Sequence, residues 1–228
     1  DFLNASEPIL DAEVKSNKHL EKTYLSDACT NQCAENVKRL FTPPQDQSES
    51  TETDQINVPI ADERVPDALF DASIQESTKV FVMIAANADR PGGGLWWGTA
   101  QEEAVYASTN LVLYAAPFYK MPSSESPLKP LSRMGYTYVQ HDATAFKEIS
   151  TGFNCKTFSP IYAANPDFRK YYSMAQDHLL TSKGHQEFIS ISYTNYYQTI
   201  AHAAEFKEQN HDQNTLIKLN AIGCGAFF

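Results

Sequence analysis

The stretch from Lys79 to Leu113 leaves the chain few folds to choose from. Val80 to Ala85 is an unbroken apolar run with β-branched residues, the pattern of a strand buried on both faces. Asn87 to Thr99 is a loop that places Gly92, Gly93 and Gly94 in a row. Gln101 to Leu113 reads as a helix. It opens with Gln101, Glu102 and Glu103, acids where the positive end of the helix dipole favours them. A strand, a glycine loop and a helix in that order make a place to hold phosphate, because glycine lets backbone N–H groups come close and the helix start adds positive potential.

Two common phosphate loops are excluded. No Gly-Lys-Ser or Gly-Lys-Thr is present, so this is not the nucleotide-triphosphatase loop. Three adjacent glycines do not match the G-x-G-x-x-G dinucleotide spacing. Two glutamates close to the loop point instead to cleavage of a bond near a phosphorylated sugar. A tight turn explains one glycine; a backbone that something must approach closely explains three. Trp96 and Trp97 suit either the core or the wall of a pocket.

The formal charge of −10 argues against a nucleic-acid backbone or an anionic membrane as partner. An anionic ligand must then be held by local backbone dipoles against a repelling net field. No apolar run reaches the roughly 18 residues of a membrane span. The chain begins at Asp1, not Met, so the lack of a signal peptide says nothing about secretion. Its 228 residues suit one domain with an appendage, or at most two small domains. Four cysteines, Cys29, Cys33, Cys155 and Cys224, are too few for a disulfide framework, so a reducing, cytoplasmic compartment is expected. Cys29 and Cys33 share one helix face but have no histidine partner, and read as buried thiols, not half a metal site.

Taken in order, residues 1–41 read as an N-terminal helical segment. Ser6 is its candidate N-cap, and a second pattern after Ser26 runs through Cys29, Cys33, Val37 and Leu40. Residues 42–55 form a polar, acidic linker, and Pro43-Pro44 stop the helix. Asp67 to Ile74 reads as a short helix. Pro117 to Pro130 reads as a loop, Tyr136 to Gln140 as a strand and Phe158 to Ala163 as another. Pro166 to Leu180 looks helical. Phe188 to Tyr193 reads as a short strand, Tyr196 to Phe206 as a helix with Ile200, Ala203, Ala204 and Phe206 inward, and Leu216 to Leu219 as a last buried strand. Strands alternating with helices predict an α/β layered sheet with helices on both faces, here residues 56–228.

Gly92-Gly93-Gly94, six residues, then Gln101-Glu102-Glu103 resembles the signature of the poly(ADP-ribose) glycohydrolases, which are macrodomain proteins. Phe158 to Arg169 resembles the strand and Ala-Ala-x-Pro turn of the microbial branch. Leu216 to Phe227 resembles its second phosphate loop, Gly-Cys-Gly-Ala-Phe after an apolar strand. The order of the three is the family's, and the likeness spans residues 79–228. It implies a three-layer α/β/α macrodomain-like sandwich with a mixed sheet. It also implies hydrolysis of the ribose C1″ glycosidic bond of ADP-ribose joined to another ADP-ribose or to a protein, with no metal or redox cofactor. The expected partner is ADP-ribose or an ADP-ribosylated protein, and the expected state is a monomer. A polar composition would also suit a bacterial effector acting in a host cell. The family continues past Gly-Cys-Gly-Ala-Phe, whereas here Phe228 ends the sequence, which predicts a truncated or divergent member.

Carried over residue by residue, Glu103 would be the acid/base and Glu102 would bind ribose hydroxyls. Adjacent glutamates on a helix point about 100° apart, so they cannot face the sugar alike. A helix start favours the ionised form, which suits a base; burial favours the acid. Asn87, Gly92, Gly93, Gly94 and Gln101 would line the ADP-ribose site. Gly223, Cys224, Gly225 and Ala226 would wrap the diphosphate, with Phe227 on the distal ribose. Cys224 reads as small and buried, not as a nucleophile. Asp89 reads as turn chemistry. Tyr193, Tyr196 and Tyr197 suit core packing more than stacking on adenine. The competing readings are an ADP-ribose reader that binds without cleaving, which has no need of Gln-Glu-Glu, and a nucleotide-sugar or cyclic-nucleotide hydrolase on the same scaffold.

Overall fold

The computed structural model describes residues 22–23, 25–42, 59–60, 63–87, 92–94, 100–112, 137–164 and 181–220. Ser6, most of the acidic linker, Asp89, Trp96, Trp97, the Pro117 to Pro130 loop, the Pro166 to Leu180 helix and the Gly223 to Phe227 loop lie outside them. The elements are β1 (Lys22–Thr23), α1 (Asp27–Leu40), α2 (Val65–Ala68), β2 (Lys79–Ala86), α3 (Gln101–Ala107), β3 (Thr137–Gln140), β4 (Ala143–Ile149), β5 (Gly152–Ala164), α4 (Ser182–Gln209) and β6 (Thr215–Lys218).

Five strands run in the order β1-β3-β5-β2-β6, and β4 pairs with β5 off this path. β2 is parallel to both β5 and β6, while β3 and β4 are antiparallel to β5, so the sheet is mixed. β2 is central because it is apolar on both sides. Val80, Val82, Ile84 and Ala86 pack with Val105 and Tyr106 of α3, and with Phe158 and Tyr162. On the opposite face Phe81 and Met83 meet Ala203 and Tyr196 of α4. Full burial of Phe81, Ile84, Phe158 and Ile161 contributes about 1.5–3 kcal/mol each. Pro160 lies inside β5 where its outer edge passes from β4, paired up to Phe158, to β3, paired from Ile161. That gap is where a missing N–H costs least.

Several expectations are corrected. Phe188 to Tyr193 is not a strand but part of α4. Its alternating Ile and Ser mimic a strand, yet Asn195, Gln198, Thr199, His202 and Ala203 recur at helical spacing, and these are the buried positions. Ile200 and Ala204, expected inward, face outward; Ala203 is buried. The helix predicted over Gln101 to Leu113 ends at Ala107. Ser108 and Asn110 turn to pair with β4, through Phe146 N–H to the Ser108 carbonyl (2.8 Å) and Asn110 N–H to the Thr144 carbonyl (2.9 Å). The short helix predicted over Asp67 to Ile74 is α2, which ends at Ala68. The β4–β5 hairpin was not expected, and its outer half is largely exposed. Residues 1–41 are not all helical, because β1 joins the sheet beside β3. Ser26 caps α1 and donates to Glu205 of α4 (2.5 Å), and Cys33 is buried between the two helices. No helix among the described residues is long and apolar enough to cross a membrane.

Candidate functional site

The predicted site residues that are described gather where β2 ends. Ligands of open α/β sheets bind beyond the carboxyl ends of the strands, and β2, β5 and β6 all end on this side. The first turn of α3 brings Gln101, Glu102 and Glu103 back against this end and against the glycine loop.

Glu102 is the buried member, only 4% exposed. Its Oε2 accepts from the Asn87 N–H and its Oε1 from the Gly92 N–H, both at 2.8 Å. One carboxyl group thus ties the start of the loop to its glycines. Burial pushes this carboxyl up from 4.5 to about 8; the two N–H donors pull against the rise and the neighbouring Glu103 adds to it.

Glu103 is half-buried and is held at one oxygen only. Its Oε1 accepts from the Gly94 N–H at 2.7 Å, while its Oε2 is buried with no hydrogen-bond partner among the described residues. A buried carboxylate oxygen without a partner is costly and calls for an explanation. The two glutamates are held differently, as the angle between neighbouring helix positions requires.

The glycines are explained by these carboxylates. Gly92 and Gly93 have positive φ values of 76° and 55°. A Cβ on Gly93 would collide with Glu103 Oε1 and lie 3.2 Å from Glu102 Oε2. The close approach foreseen from the sequence is present, but what approaches is a pair of carboxylates. The N–H groups of Gly92 and Gly94, expected to face phosphate, are given to Glu102 and Glu103.

Gln101 reaches β2 itself. Its Oε1 accepts from the Ala85 N–H (2.9 Å) and its Nε2 donates to the Met83 carbonyl (3.1 Å). Asn220, just past β6, donates from Nδ2 to the same Oε1 at 2.7 Å, and its own carbonyl accepts from the Tyr196 hydroxyl at 2.6 Å. Asn220 escaped the sequence reading; an Asn directly after an apolar strand was its only signal. Tyr193 and Tyr197 stack on each other, with ring centroids 6.0 Å apart.

Behind the site, α4 meets the sheet through a polar layer. Gln198 Oε1 accepts from the Thr137 N–H and hydroxyl, both at 3.0 Å, and Asn195 Nδ2 donates to the Ala164 carbonyl at 3.3 Å. His202 Nε2 lies 3.2 Å from the Thr137 hydroxyl, and burial holds its imidazole down at about 4. A cavity of about 570 Å³ opens instead at the amino end of β2, lined by Lys79, Asp142, Lys156 and Phe206 among others. It contains none of the predicted site residues. Among the described residues no group of three His, Cys, Asp or Glu side chains could hold a metal ion.

The catalytic-domain family of microbial-type PARG, poly(ADP-ribose) glycohydrolase, matches residues 6–138, which include the glycine loop and both glutamates. Among solved structures, the fold is similar to that of a poly(ADP-ribose) glycohydrolase point mutant from Deinococcus radiodurans in complex with ADP-ribose. The identity is 16%, the match covers 93% of this chain and 77% of that one, and the TM-score is 0.57. The enzyme from Thermomonospora curvata is similar at 17% identity, over 98% of this chain and 82% of that one, with a TM-score of 0.52. A mutant of the latter matches at 19% identity over 71% of this chain, with a TM-score of 0.48. The chain spans about half, 56%, of that mutant's length. A comparison with curated proteins finds no match. On the family match, which takes in more than half of its residues, the chain belongs to the microbial-type PARG catalytic domains.

Proposed function

We infer that this chain is a glycoside hydrolase that binds ADP-ribose and cleaves the ribose C1″ glycosidic bond of poly(ADP-ribose), and of ADP-ribose carried on protein. The observation that carries the reading is the half-held carboxylate. Glu103 is fixed through Oε1 and keeps Oε2 buried at the end of the central strand, with no hydrogen-bond partner among the described residues. In its carboxylic acid form such a group gives its proton to the leaving oxygen as the C1″–O bond breaks, which leaves the carboxylate. It then takes the proton of the water that attacks the oxocarbenium-like ribose. Glu102 holds the loop in place, and a ribose hydroxyl would share an oxygen already bound to an N–H. The Gly92 and Gly94 N–H groups would reach a phosphate only by releasing a glutamate.

The family match and the PARG structures bound to ADP-ribose support this reading. In it the sheet is the middle layer of a macrodomain-like sandwich, and Gly223, Cys224, Gly225, Ala226 and Phe227 wrap the diphosphate. The test is incubation with poly(ADP-ribose) and with ADP-ribosylated protein, reading free ADP-ribose by chromatography beside calorimetric binding of ADP-ribose. Release of ADP-ribose is the expected result. Binding without release would make the chain a reader and defeat the hydrolase.

A further inference from the structure

We propose that Gln101 is a positioning residue for ADP-ribose: its amide is a wedge that forks β2 from β6 and so holds Asn220 off the end of β2 that carries the glycine loop and the glutamates. The proposal rests on the reading of the site given above and assigns Gln101 an action through the sheet.

β6 pairs with β2 up to Val82↔Lys218 and then stops, although β2 continues to Ala86 alongside β5. Two residues further along, the partner of Ile84 would be Asn220. In a parallel ladder that partner donates its N–H to the Met83 carbonyl and accepts from the Ala85 N–H. Those are the two bonds that the Gln101 side chain makes, with the amide donating through Nε2 and accepting through Oε1. Gln101 thus occupies the place in the ladder that the backbone of Asn220 would take.

Asn220 is not left loose by this. Its side chain donates to Gln101 Oε1, and its carbonyl, which would have turned to Ala85, accepts from Tyr196 on α4. The fork is held from inside by Gln101 and from outside by Tyr196. The β2 limb leads to the glycine loop and the glutamates, so ADP-ribose bound at that end feels where Asn220 is held. An amide is needed because it alone offers a donor and an acceptor side by side at this length; Glu lacks the donor and Met lacks both.

The test compares wild type, Gln101→Met and Tyr196→Phe by amide hydrogen exchange, by ADP-ribose binding and by turnover. Removing the wedge should let Asn220 rejoin β2, so the Asn220 amide exchanges more slowly in Gln101→Met. The affinity for ADP-ribose should fall about tenfold, in Kd and KM more than in kcat. Tyr196→Phe frees the Asn220 carbonyl without touching β2 and should shift both readouts the same way by less, which keeps the proposal testable if Gln101→Met does not fold. Lost affinity with unchanged Asn220 exchange would make Gln101 a plain ligand contact and overturn the proposal. Altered exchange with wild-type affinity would overturn it too. A wild type that binds no ADP-ribose defeats the reading of the function instead, and Asn220 exchange then still decides whether Gln101 holds the fork.

Discussion

The two ends of β2 differ in a way that is easy to misjudge. At the amino end lies open space: a cavity of about 570 Å³ beside the Lys79–Asp142 ion pair, with Lys79 also 5.5 Å from the centre of the Phe206 ring. At the carboxyl end the described groups are crowded, and Gly93 has no room for a Cβ. Yet at the amino end Lys79 and Asp142 satisfy each other, whereas at the carboxyl end Glu103 Oε2 is buried with no hydrogen-bond partner among the described residues. Open volume and unsatisfied polarity thus lie at opposite ends of the same strand.

Substitutions at the two ends should therefore behave differently. The largest effect is expected at the free carboxylate: Glu103→Gln should lower kcat by about 10²–10⁴-fold. Gly93→Ala comes next. It strains a positive φ by about 1–2 kcal/mol and pushes Glu103 off Gly94, so activity should fall sharply while circular dichroism still reports a folded chain. Wild-type activity in Gly93→Ala would break the link between the glycines and the carboxylates.

Two buried groups should tilt stability against pH in opposite senses. Glu102 is raised in the folded state from 4.5 to about 8, so its contribution is complete below about 4.5 and is lost as pH rises through about 8. His202 is lowered from 6.5 to about 4, so its contribution is present above about 6.5 and is lost as pH falls through about 4. Melting temperatures should thus fall less steeply toward alkali in Glu102→Gln, and less steeply toward acid in His202→Gln, than in wild type. Equal slopes in variant and wild type would remove the group concerned from the account. The smallest effect belongs to the amino end. Lys79→Met should cost at most about 1 kcal/mol, since Asp142 is 59% exposed, and should leave turnover unchanged. A loss of turnover there would show that the cavity at the amino end takes part after all.

What could be read from the sequence follows from which residues signal their own surroundings. Val80 to Ala85 announced a strand buried on both faces, because a short apolar run with β-branched residues suits a strand covered on both sides. Glu102 and Glu103 announced a helix start beside glycines. The inward face of α4 announced itself only at Ala203 and Phe206; Asn195, Gln198, Thr199 and His202 are polar, and bonds to Thr137, Ala164 and the helix itself accompany their burial. The β4–β5 hairpin stayed hidden for a similar reason: Phe146 and Phe153 are apolar but exposed, so they carry no burial pattern. The bonds of Gln101 depend on where β6 stops. That is a property of register between segments more than a hundred residues apart, and no local spacing encodes it.

The most direct test of the central claim is a paired measurement on wild type and Glu103→Gln: the rate of ADP-ribose release from poly(ADP-ribose) and the dissociation constant for ADP-ribose. The Glu103 account predicts that the variant binds ADP-ribose within a few-fold of wild type and releases almost none. A variant that still cleaves at the wild-type rate would contradict it and move the chemistry away from the unpartnered oxygen at the end of β2.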